Sequence, residues 1–392
     1  MARAREFIIL AATIAAAGCG GGQPEGAGQR QAGQEHAGRP PALHTVGDEL
    51  VGLPGRGRVR LAAAPVAPLA GWLAPAAVPS PDGRYVAYNA WRELRPDDPE
   101  LSWADQGIEL GDPLATPSLR LYDAASGADS LLEAGAFSLA WRADGALAYF
   151  RGAERDYRAG VRYAGDIVVQ ASLEAPAEVW TPEPGRYVVA AWAGSHLVAY
   201  REHEGEALDV VVLDGPGRMR VVAPGSGLVA VSPDGRRLFV EQGPGQGRPA
   251  VGVLEVADGR ELAALDLTTV DPAVGAVSYA GDWSGDLVVA PSESGLAIFR
   301  VAAGEIALEQ ALRLDLGNSE SGAAEPRFAG PGGQRVSAWT SGRNGGVFLD
   351  CDRTEGKCAR AVPVPGATGV GGFAPWRRPV YNPSRPLRDE GA

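Results

Sequence analysis

Short apolar runs recur along this chain, each set behind a cluster of turn-forming residues. Tyr85–Tyr88, Ala146–Phe150, Leu197–Tyr200, Leu238–Val240 and Leu287–Ala290 are the clearest. Runs of this length, bounded by Gly, Pro, Asp and Ser, read as β-strands rather than helices. The turn before the first is Ser80-Pro81-Asp82-Gly83, and it returns as Ser232-Pro233-Asp234-Gly235. Proline presets φ for the second position of a tight turn. Aspartate bonds back to the backbone, and glycine takes the positive-φ position.

The unit of turn plus strand recurs at intervals of roughly 40 to 60 residues, which signals a repeat architecture. The copies centre on Ser80–Gly83, Ala143-Asp144-Gly145, Ala193-Gly194-Ser195, Ser232–Gly235, Trp283–Asp286 and Phe328–Gly333. Each has room for a four-stranded antiparallel sheet. The predicted fold is therefore all-β, a β-propeller of radial four-stranded blades. A seventh copy begins at Phe373 and reaches Tyr381, and its missing outer strands are expected from Glu49–Leu53 and Arg58–Ala62. Strands from both termini then close the ring and remove the exposed edge an open array would leave. Seven blades fit residues 47–392 at about 49 residues each; six, at about 58, is the alternative.

The sequence Ser-Pro-Asp-Gly-Arg followed by an apolar strand resembles the WD40-like repeat of TolB-type β-propellers. Ser80–Tyr88 and Ser232–Val240 match it well and Trp141–Tyr149 in part. The resemblance implies an extracytoplasmic propeller that binds proteins or small ligands. It transfers no catalytic residue.

The N-terminus is a separate matter. Arg3 and Arg5 precede an apolar run from Phe7 to Ala17, the pattern of a secretion signal. The run is too short to span about 30 Å of hydrocarbon. Its end, Ala16-Ala17-Gly18-Cys19, resembles the lipobox of bacterial lipoproteins, which implies removal of residues 1–18 and lipidation of Cys19. Residues 19–46, rich in Gly, Gln and Pro, then read as a disordered tether. The propeller is expected over 47–385, with a tail at 386–392. The expected location is extracytoplasmic, anchored to the cell membrane through lipid alone.

Charge and side-chain inventory narrow the chemistry. Net charge is −12, which argues against nucleic acid as a partner. Cys351 and Cys358 flank a short polar loop, and in an exported protein such a pair is expected to be oxidised to a structural disulfide. Two cysteines without a nearby histidine do not fill a zinc shell. Of four histidines, His36 and His44 lie in or beside the tether, His196 abuts a strand, and His203 stands between Glu202 and Glu204. That scarcity argues against a Ser-His-Asp hydrolase. No catalytic residue, cofactor or metal is predicted.

Function is expected in the long connections instead. In a four-stranded blade the A–B and C–D turns share one face. The B–C and D–A connections share the other, around the channel mouth. Two neighbouring B–C connections are long. Residues 92–118 are acidic and hold Asp97, Asp98 and Trp103; residues 152–165 hold Arg155, Tyr157, Arg158, Arg162 and Tyr163. Trp, Tyr and Arg are the side chains enriched at interface hot spots. These loops are the candidate recognition surface of a monomeric binding or scaffold protein, its partner an envelope protein or small ligand. The alternatives are a solute- or glycan-binding receptor and a propeller hydrolase or lyase.

Overall fold

The computed structural model describes residues 43–363 except 47–48, 53–56, 61, 63–76, 94–112, 157–159, 204–207, 243–248, 272–273, 278–280, 294, 303, 314–322, 330–332 and 343–344. Over these the chain is almost entirely β. Three N-terminal strands, β1 (Leu43–Val46), β2 (Glu49–Gly52) and β3 (Gly57–Arg60), form an antiparallel meander. Six four-stranded antiparallel sheets follow. Blade 1 is β4 (Ala77–Pro79), β5 (Tyr85–Glu93), β6 (Pro113–Asp123) and β7 (Asp129–Ala134). Blade 2 is β8 (Ala136–Trp141), β9 (Leu147–Asp156), β10 (Gly160–Gln170) and the two-residue β11 (Glu178–Val179).

Blade 3 is β12 (Tyr187–Ala193), β13 (His196–Glu202), β14 (Leu208–Gly215) and β15 (Arg218–Ala223). Blade 4 is β16 (Ser226–Val231), β17 (Arg237–Gln242), β18 (Ala250–Glu255) and β19 (Glu261–Asp266). Blade 5 is β20 (Asp282–Ser284), β21 (Leu287–Ser292), β22 (Gly295–Ala302) and β23 (Glu305–Arg313). Blade 6 is β24 (Ala323–Ala329), β25 (Arg335–Gly342), β26 (Gly345–Asp352) and β27 (Lys357–Pro363).

Every blade is an up-and-down meander in chain order, because short turns join antiparallel neighbours most cheaply. The two Ser-Pro-Asp-Gly turns repeat bond for bond. The Ser80 amide donates to the Tyr85 carbonyl at 2.8 Å, and the Ser232 amide to the Arg237 carbonyl at 2.9 Å. Ser80 Oγ donates to Asp82 Oδ1 and Ser232 Oγ to Asp234 Oδ1, each at 2.6 Å. The Arg84 and Arg236 amides donate to the same two carboxylates at 3.0 and 3.1 Å. Gly83 and Gly235 sit at φ 69° and 67°, the left-handed region where a Cβ is strained. The Ser80 hydroxyl is the main reason the Asp82 carboxyl is held below its ordinary range.

The copies at Gly194 and Gly285 use a tighter device. Ala193 pairs with His196 and Ser284 with Leu287, leaving two-residue hairpins whose glycines have φ 60° and 59°. Asp282-Trp283-Ser284-Gly285-Asp286 is thus a strand end and a turn.

The inner strands β4, β8, β12, β16, β20 and β24 lie next to one another in sequence order, and each seam between consecutive blades carries hydrogen bonds as well as apolar packing. Trp141 Nε1 donates to the Val78 carbonyl at 3.1 Å, joining blades 1 and 2. Blades 2 and 3 meet where the Val189 amide donates to Ser138 Oγ at 3.0 Å; Ser138 is fully buried at φ 44° in a bulge of β8. Blades 3 and 4 share Tyr200, whose hydroxyl donates to the Leu228 carbonyl at 2.9 Å and accepts from its amide at 3.1 Å. The Gly281 amide donates to Val229 O, and the Phe328 amide to Asp282 Oδ2, across the last two seams.

Two arrangements depart from expectation. Leu43–Val46, assigned above to the tether, is β1, paired from Leu43↔Gly52 to Val46↔Glu49; the N-terminal sheet has three strands rather than two. Its far end is tied to blade 1, where the Ala62 amide donates to Asp129 Oδ2 at 2.7 Å. The stretch expected to supply a seventh inner strand, Phe373–Tyr381, lies outside the described residues, as do the signal segment, most of the tether and the tail. The second expected loop, 152–165, is mostly strand, as set out below. Cys351 and Cys358 are register partners on β26 and β27 and form a disulfide.

Candidate functional site

The turn face is scaffold. Besides the turns it holds His196, whose Nδ1 lies 2.5 Å from Asp214 Oδ1, with Arg220 Nε on the other oxygen at 3.1 Å. This network ties strand ends within blade 3.

The mouth face is built differently. β5 and β6 run on past the residues that pair with β4 and β7, so that Arg92 pairs with Leu114 and Glu93 with Pro113. Only 94–112 is left for the acidic connection, and Asp97, Asp98 and Trp103 fall there, outside the described residues. In blade 2 the extension is longer. β9 and β10 pair as Gly160↔Asp156, Val161↔Arg155, Arg162↔Glu154 and Tyr163↔Ala153, beyond a register shift between Tyr163 and Asp166. Arg155, Arg162 and Tyr163 therefore belong to a two-stranded ribbon rather than a loop. Tyr157 and Arg158 fall outside the described residues, and so does Cys19.

Glycines clamp the base of this ribbon. The Gly152 amide donates to the Gly135 carbonyl at 2.9 Å, and Gly165 exchanges two backbone bonds with Gly185, at 2.9 and 2.8 Å. Gly135 and Gly185 belong to the connections entering and leaving blade 2, so the ribbon is gripped from both sides. Glycine is required for the fit. Gly152 has φ 115°, and a Cβ on Gly165 would stand 2.0 Å from the Arg151 carbonyl oxygen.

Blade 3 contributes a polar network that the sequence did not reveal. Asp209, at the mouth end of β14, is 7% exposed. His203 Nε2 lies 2.6 Å from its Oδ2, Arg201 Nη2 donates to the same oxygen at 2.8 Å, and the Gly225 amide reaches Oδ1 at 3.1 Å. Burial pushes the Asp209 carboxyl up, but the bonds from His203, Arg201 and Gly225 outweigh it and hold it below its ordinary range. Glu202, beside His203 in sequence, pairs with Arg186 at 2.8 Å. His203 thus meets Asp209 beside the cross-strand pair Arg201↔Asp209. No cluster of three or more His, Cys, Asp or Glu able to hold a metal occurs among the described residues. Nor, among them, is any helix long and apolar enough to cross a membrane.

Sheets joined through their inner strands, each a four-stranded meander, define a β-propeller. No protein-family model and no curated protein matches the chain. Solved structures do. The β-propeller domain of the Trilobed protease from Pyrococcus furiosus, described with an open velcro topology, is 12% identical over 82% of this chain and 93% of that one, with a TM-score of 0.50. An acylaminoacyl peptidase in complex with Z-Gly-Gly-Phe-chloromethyl ketone is 12% identical over 80% of this chain and 47% of that one, also at 0.50. TolB from Acinetobacter baumannii is 16% identical over 62% of this chain and 58% of that one, at 0.39. The chain spans about half the length of the acylaminoacyl peptidases it matches. The likeness is one of fold.

Proposed function

We propose that this protein is a lipid-anchored, extracytoplasmic β-propeller that binds a protein partner at the bacterial envelope, with the mouth face of blades 1 and 2 as its recognition surface. The observation that carries the reading is the glycine-clamped ribbon of blade 2. A connection that merely returned the chain from β9 to β10 needs a few residues. This one continues the ladder beyond the residues that pair with β8 and β11 and holds it between two flanking connections. Its residues 151–163 include Arg151, Arg155, Arg158, Arg162, Tyr157 and Tyr163, a composition suited to an interface. The acid-rich connection of blade 1 leaves from the same face. Cys19, in its lipobox-like setting, supplies the anchor in this reading, and the net charge of −12 keeps the domain off anionic lipid.

The test is to replace Ala153–Ala164 by a short Gly-containing turn and crosslink the lipidated protein in its native membrane. Unchanged melting with loss of the captured protein is the expected result. Capture unaltered by the deletion refutes the surface, and absence of radiolabelled lipid from Cys19 refutes the anchor.

A further inference from the structure

We propose that the chain from Cys19 joins the propeller at its mouth face, so that the anchored protein holds this face toward the bilayer and meets a partner protein held in the same membrane. This rests on the reading above, both for Cys19 as the anchor and for the mouth face as protein-binding. Strand direction carries it. Each blade's inner strand enters at the mouth and runs to the turn face, as β4 does from Ala77 to Pro79 before the Ser80–Gly83 turn. β5 returns to the mouth and β6 comes back, ending at Asp123. Asp129, which opens β7, therefore stands at the turn face.

Asp129 clasps the N-terminal sheet. Its Oδ2 accepts the Ala62 amide at 2.7 Å and the Tyr88 hydroxyl at 2.6 Å, and its Oδ1 accepts from Arg120 Nε at 3.0 Å. Ala62 follows closely on Arg60, the last residue of β3, so β3 ends toward the turn face. Val46, Glu49 and Arg60 are register neighbours at this end of the sheet; Leu43, Gly52 and Gly57 are neighbours at the other. β1 lies beside β4, the inner strand of blade 1. The meander thus has the phase of a blade's first three strands: β1 runs from mouth to turn face, β2 back, and β3 out again. Leu43 opens on the mouth face, and the chain from Cys19 arrives there.

Lengths turn this point of entry into an orientation. Residues 19–42 number about 24, which as a coil reach about 25–30 Å. Strands of seven residues, such as β12 and β13, make the ring about 23 Å deep. With the mouth toward the lipid the tether meets the bilayer directly. With the propeller turned over it must also span the ring's depth, which consumes nearly its whole reach. The mouth face, with the glycine clamp of blade 2 on it, is therefore the membrane side. Net charge of −12 opposes contact with anionic lipid itself, which leaves a membrane-held protein as the occupant.

The test reconstitutes the full lipidated chain in phosphatidylcholine vesicles that carry an energy-transfer acceptor on a lipid headgroup. Cys351 and Cys358 are joined, so a single added cysteine takes the donor. It is placed on exposed mouth-face positions, Glu183→Cys or Pro224→Cys, or on exposed turn-face positions, Ala125→Cys or Asp258→Cys. Transfer should be about twofold greater from the mouth positions, because the ring's depth separates the two sets. Doubling residues 20–42 should shrink the difference. Equal or reversed transfer, with radiolabelled lipid present on Cys19, overturns the orientation and leaves the anchor and the binding surface standing; absence of the label refutes the anchor and this proposal together. For the partner, the ribbon is crosslinked in native membranes and a protease site placed within 20–42 is then cut. The adduct should stay with carbonate-washed membranes. Its release into the wash overturns the membrane-held partner while the ribbon's role in binding survives, and failure to form any adduct refutes the binding surface itself.

Discussion

The indole Nε1 of Trp192 donates a hydrogen bond to the carbonyl of Ala140, 3.0 Å away across the seam between blades 2 and 3. The same ring packs edge-on against Trp180, centroids 5.5 Å apart, and the Arg142 guanidinium lies 4.8 Å above it. Trp141 makes the matching bond one seam earlier. At these two seams a tryptophan at the end of an inner strand is therefore the fastener. Blades 4 and 5 use a variant, with Trp283 packed against Phe239 and covered by Arg237.

Trp192→Phe keeps most of the packing and loses the bond, so it should lower unfolding free energy by about 1 kcal/mol. Trp192→Ala also forfeits the contacts with Trp180 and Arg142 and should cost ~3 kcal/mol. Urea denaturation of the two variants checks both figures. Equal losses would mean that the ring's packing contributes nothing beyond the bond.

Stability should fall at both extremes of pH, for opposite reasons. The Asp209 carboxyl is held below its unfolded value, so its contribution is present above about pH 4 and is lost as pH falls through the lowered value. Asp209→Asn should make the acid limb of the profile shallower. The Tyr149 phenol is pushed up to about 12, first by burial and then by Glu133. Its neutral form is the one the fold accepts, so that contribution is complete below about pH 10 and disappears as pH rises through the raised value. Melting temperature against pH for Tyr149→Phe should show a flatter alkaline limb. An unchanged limb would contradict the assignment.

Gly165→Ala isolates the clamp. The added methyl collides with the Arg151 carbonyl, so the ribbon must detach or tilt while the seams of the ring stay intact. The expected outcome is partner capture reduced by about tenfold with a melting temperature only a few degrees lower. A variant that captures normally would show that the ribbon's orientation is irrelevant.

The blade repeat was legible because its turns carry their own chemistry: Pro81, Asp82 and Gly83 specify a conformation without help from the rest of the fold. The ribbon was not. Strand patterns betray themselves through a buried face, and Arg151-Gly152-Ala153-Glu154-Arg155-Asp156 has no apolar alternation to read. β1 escaped notice for another reason: four residues, Leu-His-Thr-Val, are too few to stand out beside a Gly-rich stretch. The pairing of Arg201 with Asp209 depended on register across a connection, and register is fixed by how the strands pack. The tighter turns at Gly194 and Gly285 were placed correctly from the apolar runs beside them, although their sequences depart from the repeat.

The most direct test is site-specific photocrosslinking in native membranes, with the photoreactive residue at Arg155 or Arg162 on the ribbon and, for comparison, at Asp258 on the turn face. A discrete protein adduct from the ribbon positions and none from Asp258 is the predicted result. Adducts from Asp258 alone, or from neither face, would contradict it.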